Sequence, residues 1–366
     1  MAAKVQRGEG SEASALERAA ELLGRARLPV IGGLLTDIRG AQAAIALAQK
    51  LGGIIDHAAG DSLTREARVR REAGISAASF GEVRNRADVI VVIGALPLEQ
   101  EPDLLDRLFP AEAGLPRPGS NPRELILLGP EQAQVPDRIP VTSIGLGDQD
   151  LPALIARLGA AVGNRSEHDD AGVTLGGVAE RLSSAAFAAF VYSAAELDEP
   201  ALFTILDAIR HLSVTTRAAT LAIATPGNGD GVNLCSTWTC GLPVRTSFAG
   251  SVPAHDANRF ATTQLIESGE ADALVWIDAL AGPGVPCPKG VPTIVLTAFA
   301  EAAEHGSDIV IEVACAGRDH DAALYLSPIS GIGMVKASRP NSVKPTVAAV
   351  LTRLAGMIDA REAASC

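Results

Sequence analysis

Short, fully apolar runs constrain the fold of this chain more than any other feature. The run 89–93 (VIVVI) contains no polar residue, and it lies between Ala-Asp and a glycine. Such a run is typical of a strand that is buried on both faces, as in the middle of a parallel sheet. Ala-rich amphipathic segments, long enough for helices, separate similar runs along the chain. This alternation predicts parallel sheets with right-handed crossover helices, and therefore an α/β protein of two doubly wound, Rossmann-like units.

The same patterns predict the individual elements. Strands are expected at 28–31, 53–56, 89–93, 124–128, 139–143, 187–192, 220–224, 273–277, 291–297 and 308–313. Helices are expected at 15–25, 41–51, 150–162, 199–211, 259–268 and 344–360. The polar stretch 163–172 has no helix or strand pattern, and it is predicted to be a connector.

Charge and cysteine content exclude several classes of protein. The 31 Lys and Arg against 43 Asp and Glu give a net charge of −12, which argues against a nucleic-acid partner because phosphate backbones need clustered cations. No run approaches the roughly 20 apolar residues of a membrane span, and the first residues lack a secretory signal. We therefore expect a cytoplasmic protein without membrane contact. The five cysteines are too scattered to predict a disulfide framework or a metal site.

Ligands of open α/β sheets bind at the carboxyl ends of the strands, which directs attention to the loops there. Residues 226–233 (PGNGDGVN) have three glycines that could expose amides to a phosphate. The dinucleotide pattern G-x-G-x-x-G is broken at Val232, and a sharp structural turn is the competing interpretation. Residues 236–243 offer Trp238 for stacking and the thiol of Cys240. No base or cation lies near this thiol in the sequence, so we expect Cys240 to be buried and inert.

Two further loops carry groups with acid–base chemistry. Residues 318–321 (RDHD) follow a predicted strand, although a solvated loop is the plainer interpretation. His255 and Asp256 precede a predicted helix, for which Asp256 or Asn258 would serve as N-cap. None of these loops forms a recognisable catalytic constellation on sequence alone.

Several segments carry a family resemblance. Residues 15–57 and 81–94 (GEVRNRADVIVVIG) resemble the molybdopterin oxidoreductase superfamily. A narrower resemblance, to the B subunit of formylmethanofuran dehydrogenase, rests on residues 265–277 (LIESGEADALVWI) together with Gly227, Asn228, Gly231, Asn233, Thr237, Trp238, Gly241 and Pro243. In that family the subunit carries a molybdo- or tungstopterin and an iron–sulfur cluster, and it reduces carbon dioxide to formate.

The chain departs from that family at the positions that would serve redox chemistry. No cysteine precedes Cys235, although the cluster needs N-terminal thiolates. By the resemblance, Ser62 stands at the metal-ligand position, and Ala224 and Pro226 stand where the family has a catalytic Arg and His. Residues 129–131 (GPE) replace a pterin-contacting Asp-Pro-Arg, and residues 320–325 retain only the tyrosine of another cofactor loop.

The resemblance therefore implies a pocket that corresponds to the cofactor pocket of the family but no longer binds the cofactor. Ser62, Ala224, Pro226, Asn228 and Trp238 mark its vestigial positions, with no catalytic residue, metal or cofactor expected in this chain. The pattern is similar to the B subunit of bacterial formyltransferase/hydrolase complexes. These transfer formyl from tetrahydromethanopterin to a methanofuran-type carrier and hydrolyse it to formate.

In such complexes an A-type zinc amidohydrolase and the C-type and D-type formyltransferase subunits are the implied partners, and the carrier is a further molecule that could pass nearby. A non-catalytic, structural subunit is the favoured interpretation. An active Mo/W-pterin subunit with Ser62 as ligand and a nucleotide- or sugar-phosphate-binding α/β enzyme using 226–233 remain alternatives. The family fold also implies interleaved domains, 13–60 with 226–366 and an inserted 61–225, whereas the sequence pattern alone favours a split near 163–172.

Overall fold

The structure is a computed structural model that describes residues 9–110, 123–129, 134–163, 175–282, 284–299, 308–340 and 342–365. Its strands are β1 (Pro29–Leu35), β2 (Ile54–Ile55), β3 (Val89–Ile93), β4 (Glu124–Gly129), β5 (Val141–Gly145), β6 (Phe187–Tyr192), β7 (Arg217–Ala222), β8 (Thr246–Ser247), β9 (Ala254–His255), β10 (Ala273–Asp278), β11 (Thr293–Thr297), β12 (Ile309–Glu312), β13 (Ala322–Leu326) and β14 (Gly331–Val335).

The helices are α1 (Glu9–Arg25), α2 (Ile38–Leu51), α3 (Gly60–Ala73), α4 (Phe80–Arg86), α5 (Leu96–Gln100), α6 (Leu104–Leu108), α7 (Leu151–Val162), α8 (Leu175–Ser184), α9 (Glu199–Leu212), α10 (Gly229–Cys240), α11 (Thr262–Glu267) and α12 (Val347–Ser365). The predicted α/β class with parallel sheets is confirmed, and β3 and β6 have the predicted bounds. The elements that were not predicted are helices α3, α4, α5, α6, α8 and α10, strands β8 and β9, and the β13–β14 hairpin. Helix α11 begins at Thr262 rather than at 259, and β7 lies three residues earlier than expected at its start.

The chain divides into two compact units. Unit 1 comprises Met1–Asp61, Gly227–Tyr325 and Ile332–Cys366, and unit 2 comprises Ser62–Pro226 and Leu326–Gly331. Unit 1 is therefore assembled from segments that are far apart in sequence, while almost all of unit 2 is one continuous segment. Most of the predicted connector 163–172 lies outside the described residues.

Unit 1 is built on a seven-stranded sheet with the order β12-β11-β10-β1-β2-β8-β9. The strands from β12 to β2 are parallel, and β8 and β9 extend the sheet in antiparallel fashion. One face buries Val30, Ile54, Trp276 and Val295 together with Leu265 of α11. Helix α12 packs against both α1 and α2, while α2 contacts β1 and α1 contacts β12.

Unit 2 has a five-stranded, fully parallel sheet with the order β5-β4-β3-β6-β7. Alternate residues of β3 enter different cores: Val89, Val91 and Ile93 pack with α7, α8 and α9, while Ile90 and Val92 pack with α4 and α6. All five side chains are buried, and each contributes about 1.5–3 kcal/mol of hydrophobic stabilisation. The continuous apolar run is thus explained by burial on both faces.

An aspartate just before one strand anchors the neighbouring strand in both units. Asp272 precedes β10, and its carboxylate accepts the amides of Arg27 and Leu28 at 2.8 and 3.0 Å, next to the start of β1. Burial alone would raise the pKa of Asp272, but these two amides lower it below its ordinary value. Asp88 precedes β3 and accepts the amides of residues 186 and 187, where β6 begins, at 2.8 and 2.7 Å. The pairs β1/β10 and β3/β6 therefore have their ends aligned by a charge-assisted bond.

Aspartates also begin three of the long helices. Asp37, Asp150 and Asp198 each have extended backbone, and each carboxylate accepts the amide three residues later. These N-caps satisfy donors that a helix cannot satisfy internally, and each stabilises the helix by about 1 kcal/mol. Within the described residues, no helix combines the length and apolarity needed to cross a bilayer.

We expect Asp88→Ala to lower the free energy of unfolding by about 2–3 kcal/mol, because it leaves one buried and one partly buried amide at the start of β6 without an acceptor. Urea denaturation followed by circular dichroism measures the change. The control is Asp148→Ala, at an exposed position after β5, which should change the midpoint little. Equal effects of the two substitutions would contradict the anchoring role of Asp88.

Candidate functional site

The strand order identifies where a ligand site is expected in each unit. In unit 1 the chain passes from β1 to β2 on one side and later returns as β10 on the other, so the switch point lies between β1 and β10. In unit 2 the corresponding point lies between β3 and β6. Ligands of open α/β sheets bind beyond the carboxyl ends of strands at such points. We therefore describe the polar groups at these strand ends in each unit.

A buried carboxylate follows β2 in unit 1. Asp56 is 3% exposed. One of its oxygens accepts the amide of His57 at 2.9 Å and the Arg245 Nε at 3.2 Å. The other accepts the amide and the hydroxyl of Thr262 at 2.8 and 3.0 Å. These donors are all supplied by the chain itself, and the carboxylate connects the ends of β2, β8 and α11.

Arg245 completes this cluster as a buried, fully engaged cation. Its guanidinium also donates to the carboxylate of Asp61 and to the carbonyl of Ala257. Its backbone has a φ of +62°, a left-handed conformation that is unusual for a residue other than glycine. Gly60 leaves space for the pair, because a Cβ at this position would lie 2.4 Å from an Asp56 oxygen. The guanidinium of Arg245 therefore stabilises the fold, and its donors are already used, so it is poorly placed to bind a substrate anion.

His57 is held as a neutral imidazole. Its Nδ1 accepts the amide of Ala59 at 2.9 Å, so its Nε2 carries the proton and donates to the carbonyl of Gly227 at 3.0 Å. Burial lowers the pKa of His57, while the bond to Gly227 and the charges of Asp56 and Asp230 act in the opposite direction. The hydrogen bond joins the segment where the chain leaves unit 1 to the segment where it returns.

The side chain of Asn228 forms hydrogen bonds with two other segments of unit 1. It has a φ of +61°, its amide nitrogen donates to the carbonyl of Thr36 at 2.8 Å, and its oxygen accepts the amide of Tyr325 at 2.8 Å. A Cβ at Gly231 would lie 2.2 Å from that oxygen, so glycine is needed there for the side chain to fit. Asn228 therefore ties three segments of unit 1 together.

The structure favours the sharp-turn interpretation of residues 226–233 over an open glycine loop. Residues Pro226–Asn228 form a tight turn in which Gly227 and Asn228 both have left-handed backbone, and α10 starts directly afterwards at Gly229. Of the three glycines, Gly227 has a positive φ, of 68°, and the other two are helical. The sharp-turn interpretation accounts for this segment, and the carboxylate of Asp230 in the first turn of α10 disfavours a phosphate there.

The segment 236–243 is also largely helical rather than a loop. Cys240 ends α10, and its thiol donates to the carbonyl of Ser236 at 3.2 Å. Cys235 is buried, and burial raises the pKa of its thiol to about 11. Trp238 lies on the outer side of α10 with 53% of its surface exposed. Ten residues separate it from Asn228, which at 1.5 Å per residue is about 15 Å along the helix axis.

The remaining expected pocket positions belong to unit 2. Ser62 lies in the first turn of α3 and is 6% exposed. Ala224 follows β7, and its amide donates to the hydroxyl of Ser327 at 3.0 Å. Pro226 is exposed and begins the tight turn before α10. Of residues 129–131, two lie outside the described residues, so their expected role stays a prediction.

Glu196 fills the switch point of unit 2, and the sequence analysis missed it. Its two carboxylate oxygens accept the amides of Ala95 and Leu96 at 3.0 and 2.9 Å, directly after β3. A Cβ at Gly94, which has a φ of +77°, would lie 2.1 Å from the same carboxylate. These amides are therefore bonded to an internal anion. In the sequence, Gly94 directly after β3 is the one sign of a close contact at this place. Glu196 itself could not be identified, because it lies 101 residues from Ala95.

A second buried cluster in unit 2 was also missed. Tyr192, at the end of β6, donates its hydroxyl to the carboxylate of Glu66 at 3.3 Å, and Arg70 pairs with the same carboxylate. Burial raises the pKa of Tyr192 above its ordinary value, and the charge of Glu66 adds to this effect. The phenol therefore stays protonated and contributes to packing.

The two loops with acid–base groups also have structural roles. Arg318 pairs with Asp319 at 2.9 Å and, together with the amide of Cys315, lowers the pKa of Asp319 to about 2. Asp319 is thus anchored rather than solvated. The carboxylate of Asp256 accepts the amides of Asn258 and Arg259, which closes a turn before α11 instead of capping it. Among the described residues, no group of three or more His, Cys, Asp or Glu side chains is arranged to hold a metal ion.

Comparison with known proteins gives a consistent result. No protein-family model matches the chain. The B subunit of the formyltransferase/hydrolase complex Fhc of Methylorubrum extorquens is 30% identical over 359 residues, which are 97% of this chain and 97% of that protein. The B subunit of the tungsten-containing formylmethanofuran dehydrogenase 2 of Methanococcus maripaludis is 24% identical over 283 residues, or 75% of this chain and 65% of the relative.

A solved structure extends this similarity to the fold. A chain in the X-ray crystal structure of the formyltransferase/hydrolase complex from Methylorubrum extorquens in complex with methylofuran matches with a TM-score of 0.83 and 29% identity. The match covers 99% of this chain and 100% of that chain.

We expect the stability of the protein to fall as the pH is lowered through about 6.5, by up to about 1.4 kcal/mol per pH unit. Below that pH an unfolded His57 binds a proton, whereas the buried imidazole does not, so protonation favours the unfolded chain. Urea denaturation at a series of pH values should show this slope reduced in His57→Gln. His211→Gln, at an exposed position in α9, serves as the control and should retain it. An unchanged slope in His57→Gln would contradict a neutral, buried imidazole.

We expect Arg245→Met to lower the free energy of unfolding by about 3–5 kcal/mol, because it leaves the buried charge of Asp56 without its cation. The matched control is Arg259→Met, which removes an ion pair with Glu270 at 3.0 Å whose side chains are 63% and 41% exposed. Screening by water limits that loss to about 1 kcal/mol or less. Chemical denaturation measures the free energy of unfolding of both variants. Similar losses in the two variants would contradict a larger stabilising effect of the buried Arg245–Asp56 pair.

Proposed function

The chain belongs to the family of B subunits of formyltransferase/hydrolase complexes, and on that premise we propose that it is the non-catalytic, structural B subunit of such a complex. The observation that carries the proposal is the full-length match to the Fhc B subunit, at 30% identity over 97% of both chains. The partners follow from the same match: an A-type zinc amidohydrolase and the C-type and D-type formyltransferase subunits. A methanofuran-type carrier is the molecule on which they act, and the cytoplasm is the proposed compartment.

The proposed reaction contains no redox step, so this chain does not need to transfer electrons. A formyl group passes from tetrahydromethanopterin to the amine of the carrier, and water then attacks the formyl carbon. The carbon–nitrogen bond breaks, the amine takes up the proton, and formate leaves. Formyl carbon and formate have the same oxidation level, so no oxidant or reductant is consumed. A subunit that resembles a redox enzyme can therefore lose its redox groups without loss to the complex.

The residues at the expected pocket positions support a non-catalytic role. Ala224 and Pro226 have no side-chain group that could transfer a proton or stabilise an anion. Ser62 is a buried hydroxyl at the start of α3. No cysteine of the sequence precedes Cys235, so this chain has no N-terminal thiolates for an iron–sulfur cluster.

The chain's own side chains also fit poorly with an anionic pterin dinucleotide. Glu196 occupies the amides of Ala95 and Leu96, and its negative charge would repel a pyrophosphate at that place. Asn228 uses both ends of its amide within unit 1. We therefore derive no chemical step through a molybdenum or tungsten cofactor. The similarity to the Fhc B subunit over 97% of the chain favours the structural subunit over the nucleotide-binding alternative at 226–233.

We further propose that the two units are the interleaved domains of the family, 13–60 with 226–366 and an inserted 61–225. The support is the division of the chain near residues 61 and 226. It would place Ser62 and Ala224 at the two ends of the inserted domain.

The test is co-expression of this chain with the three partner subunits and purification through a tag on this chain. We expect all four subunits to co-purify, formate to be released from the formyl carrier, and molybdenum and tungsten to be far below one atom per complex by mass spectrometry. Ser62→Ala should change formate release by less than about twofold.

Partner subunits expressed without this chain are the control, and they should assemble poorly. Stoichiometric molybdenum or tungsten with pterin absorbance would overturn the proposal, and so would a chain that captures none of the three partners.

A further inference from the structure

A buried carboxyl group at the end of β10 has no partner within the part of the chain that the structure describes. Asp278 is 7% exposed, and its backbone pairs with Leu35 of β1 on one side and Thr297 of β11 on the other. No N–H, hydroxyl or cation of a described residue contacts its carboxyl group, and burial raises its pKa. Asp56 and Asp88 are also buried, yet each accepts at least two donors. Asp278 therefore lacks the groups that usually allow a carboxylate to be buried.

The elements beside Asp278 supply no compensating charge. Strands β1 and β11 contain no ionisable residue. In the segment after β12, burial raises the pKa of the Cys315 thiol, and the charge of Asp278 acts in the same direction, so this thiol is neutral. Arg318 follows in the same segment, but two of its nitrogens donate to the carboxylate of Asp319, both at 2.9 Å. The cation of this segment is therefore already paired.

The segment 284–290 (GVPCPKG) lies next to this carboxyl group, and we call it the strap. A Cβ at Gly284 would be 3.3 Å from an oxygen of Asp278, so the backbone of the strap passes directly beside the carboxyl group. Val285 and Cys287 are half-buried, and they pack against the buried apolar cluster of the unit 1 sheet. No backbone hydrogen bond joins residues 284–290 to the rest of the described chain. Side-chain packing is therefore what holds the strap in place.

The strap brings no charge to Asp278 either. Its two titratable groups are Cys287, whose thiol has a pKa raised by burial to about 11, and Lys289, which is exposed. The thiol of Cys287 donates to the carbonyl of Pro288 at 3.5 Å. Among the described contacts, neither group reaches the carboxyl group of Asp278. An ionised Asp278 is therefore uncompensated as long as the strap is closed.

Protonation decides how well Asp278 tolerates this burial. A neutral carboxylic acid is far less costly to bury than a carboxylate, which needs water or hydrogen-bond donors. Strand β10 is held by parallel pairing on both of its edges, so it resists movement. The strap has no such bonds. Movement of the strap is therefore the change that admits water to an ionised Asp278 at the least cost.

We propose that the strap is a pH-dependent cover for the carboxyl end of β10. It stays closed beside Asp278 while this carboxyl group is protonated, and it opens when the group ionises. The carboxyl end of β10 borders the switch point of unit 1, so the strap controls the access of water and small molecules to that place. The inference is independent of the proposed function, because every residue it uses lies in unit 1 and no partner takes part.

The experiment compares the full-length wild-type chain with Asp278→Asn, which keeps the size of the side chain and does not ionise. The matched control is Asp148→Asn, which removes one carboxylate at an exposed position. Cys287 reports the position of the strap, because its thiol is half-buried there. The reagent is 4,4′-dithiodipyridine, which reacts with thiols in acid as well as at neutral pH. Mass spectrometry of peptides measures the modification of Cys287 between about pH 4.5 and about pH 8.5.

At the highest pH, Cys287 should react at least about fivefold faster in the wild type and in the control than in Asp278→Asn. The ratio of wild type to Asp278→Asn should approach one as the pH is lowered, because the strap is then closed in both. Comparison at the same pH cancels the pH dependence of the reagent and the thiol. Removal of a nearby negative charge would by itself make the Cys287 thiol more acidic and more reactive in Asp278→Asn, so a direct electrostatic effect has the opposite sign.

Unfolding in urea gives a second measurement. Burial raises the pKa of Asp278 in the folded protein above its value in the unfolded chain, so the folded protein binds the extra proton. The stability that this group contributes is therefore present at low pH and is lost as the pH rises through the folded pKa. The unfolding midpoint of the wild type should fall below that of Asp278→Asn at the highest pH and approach it as the pH is lowered.

Each outcome of the labelling bears on the inference. A ratio that rises with pH supports it. A ratio near one at every pH would overturn it, and so would a ratio that differs from one but does not change with pH, since the strap would then respond to the substitution rather than to ionisation. A wild-type midpoint above that of Asp278→Asn at the highest pH would also overturn it. None of these measurements involves a partner subunit, so their failure leaves the proposed function standing.

Discussion

The buried carboxylate of Asp56 is the constraint on which the ends of unit 1 depend. It receives donors from Arg245 and Thr262, which lie 189 and 206 residues away in the sequence. An ionised group in such a place is tolerated because both of its oxygens are hydrogen-bonded and a cation lies beside it. Removal of any one donor leaves the carboxylate of Asp56 with too few hydrogen bonds. The carboxylate therefore fixes the positions of three segments relative to one another: the one after β2, the one before β8 and the start of α11.

The acidic composition of the chain has a structural explanation in these contacts. Asp88 and Asp272 align neighbouring strands, three further aspartates cap helices, and Glu196 bonds two amides after β3. Each carboxylate satisfies backbone donors that secondary structure leaves open. In a protein that resembles a family with a large anionic cofactor, internal carboxylates at strand ends have the opposite electrostatic effect from the cations such a cofactor needs. The same feature that stabilises the loops therefore makes them poor sites for phosphate.

Much of the fold could be predicted from sequence because strands buried on both faces leave a strong signal. The bounds of β3 and β6 follow directly from apolar runs. Helix α10 was missed because its glycines, asparagine and threonines have low helix propensity, and packing on α2 overrides that preference. Helix α3 was missed because its Arg- and Glu-rich sequence has little apolar periodicity. The candidate site was harder still, since pairs such as Arg245 and Asp56 are joined by topology and leave no local pattern.

The discontinuity of unit 1 has a consequence for how the chain is made. Strand β1 pairs with β10 through residues that are about 244 positions apart, while the strands of unit 2 all come from one stretch between them. During synthesis all five strands of the unit 2 sheet leave the ribosome before β10 does. Until then the edge of β1 that later pairs with β10 has no partner strand, and an unpaired apolar edge can pair with other chains. The strand order therefore makes the pairing of β1 with β10 a late step in the formation of the unit 1 sheet.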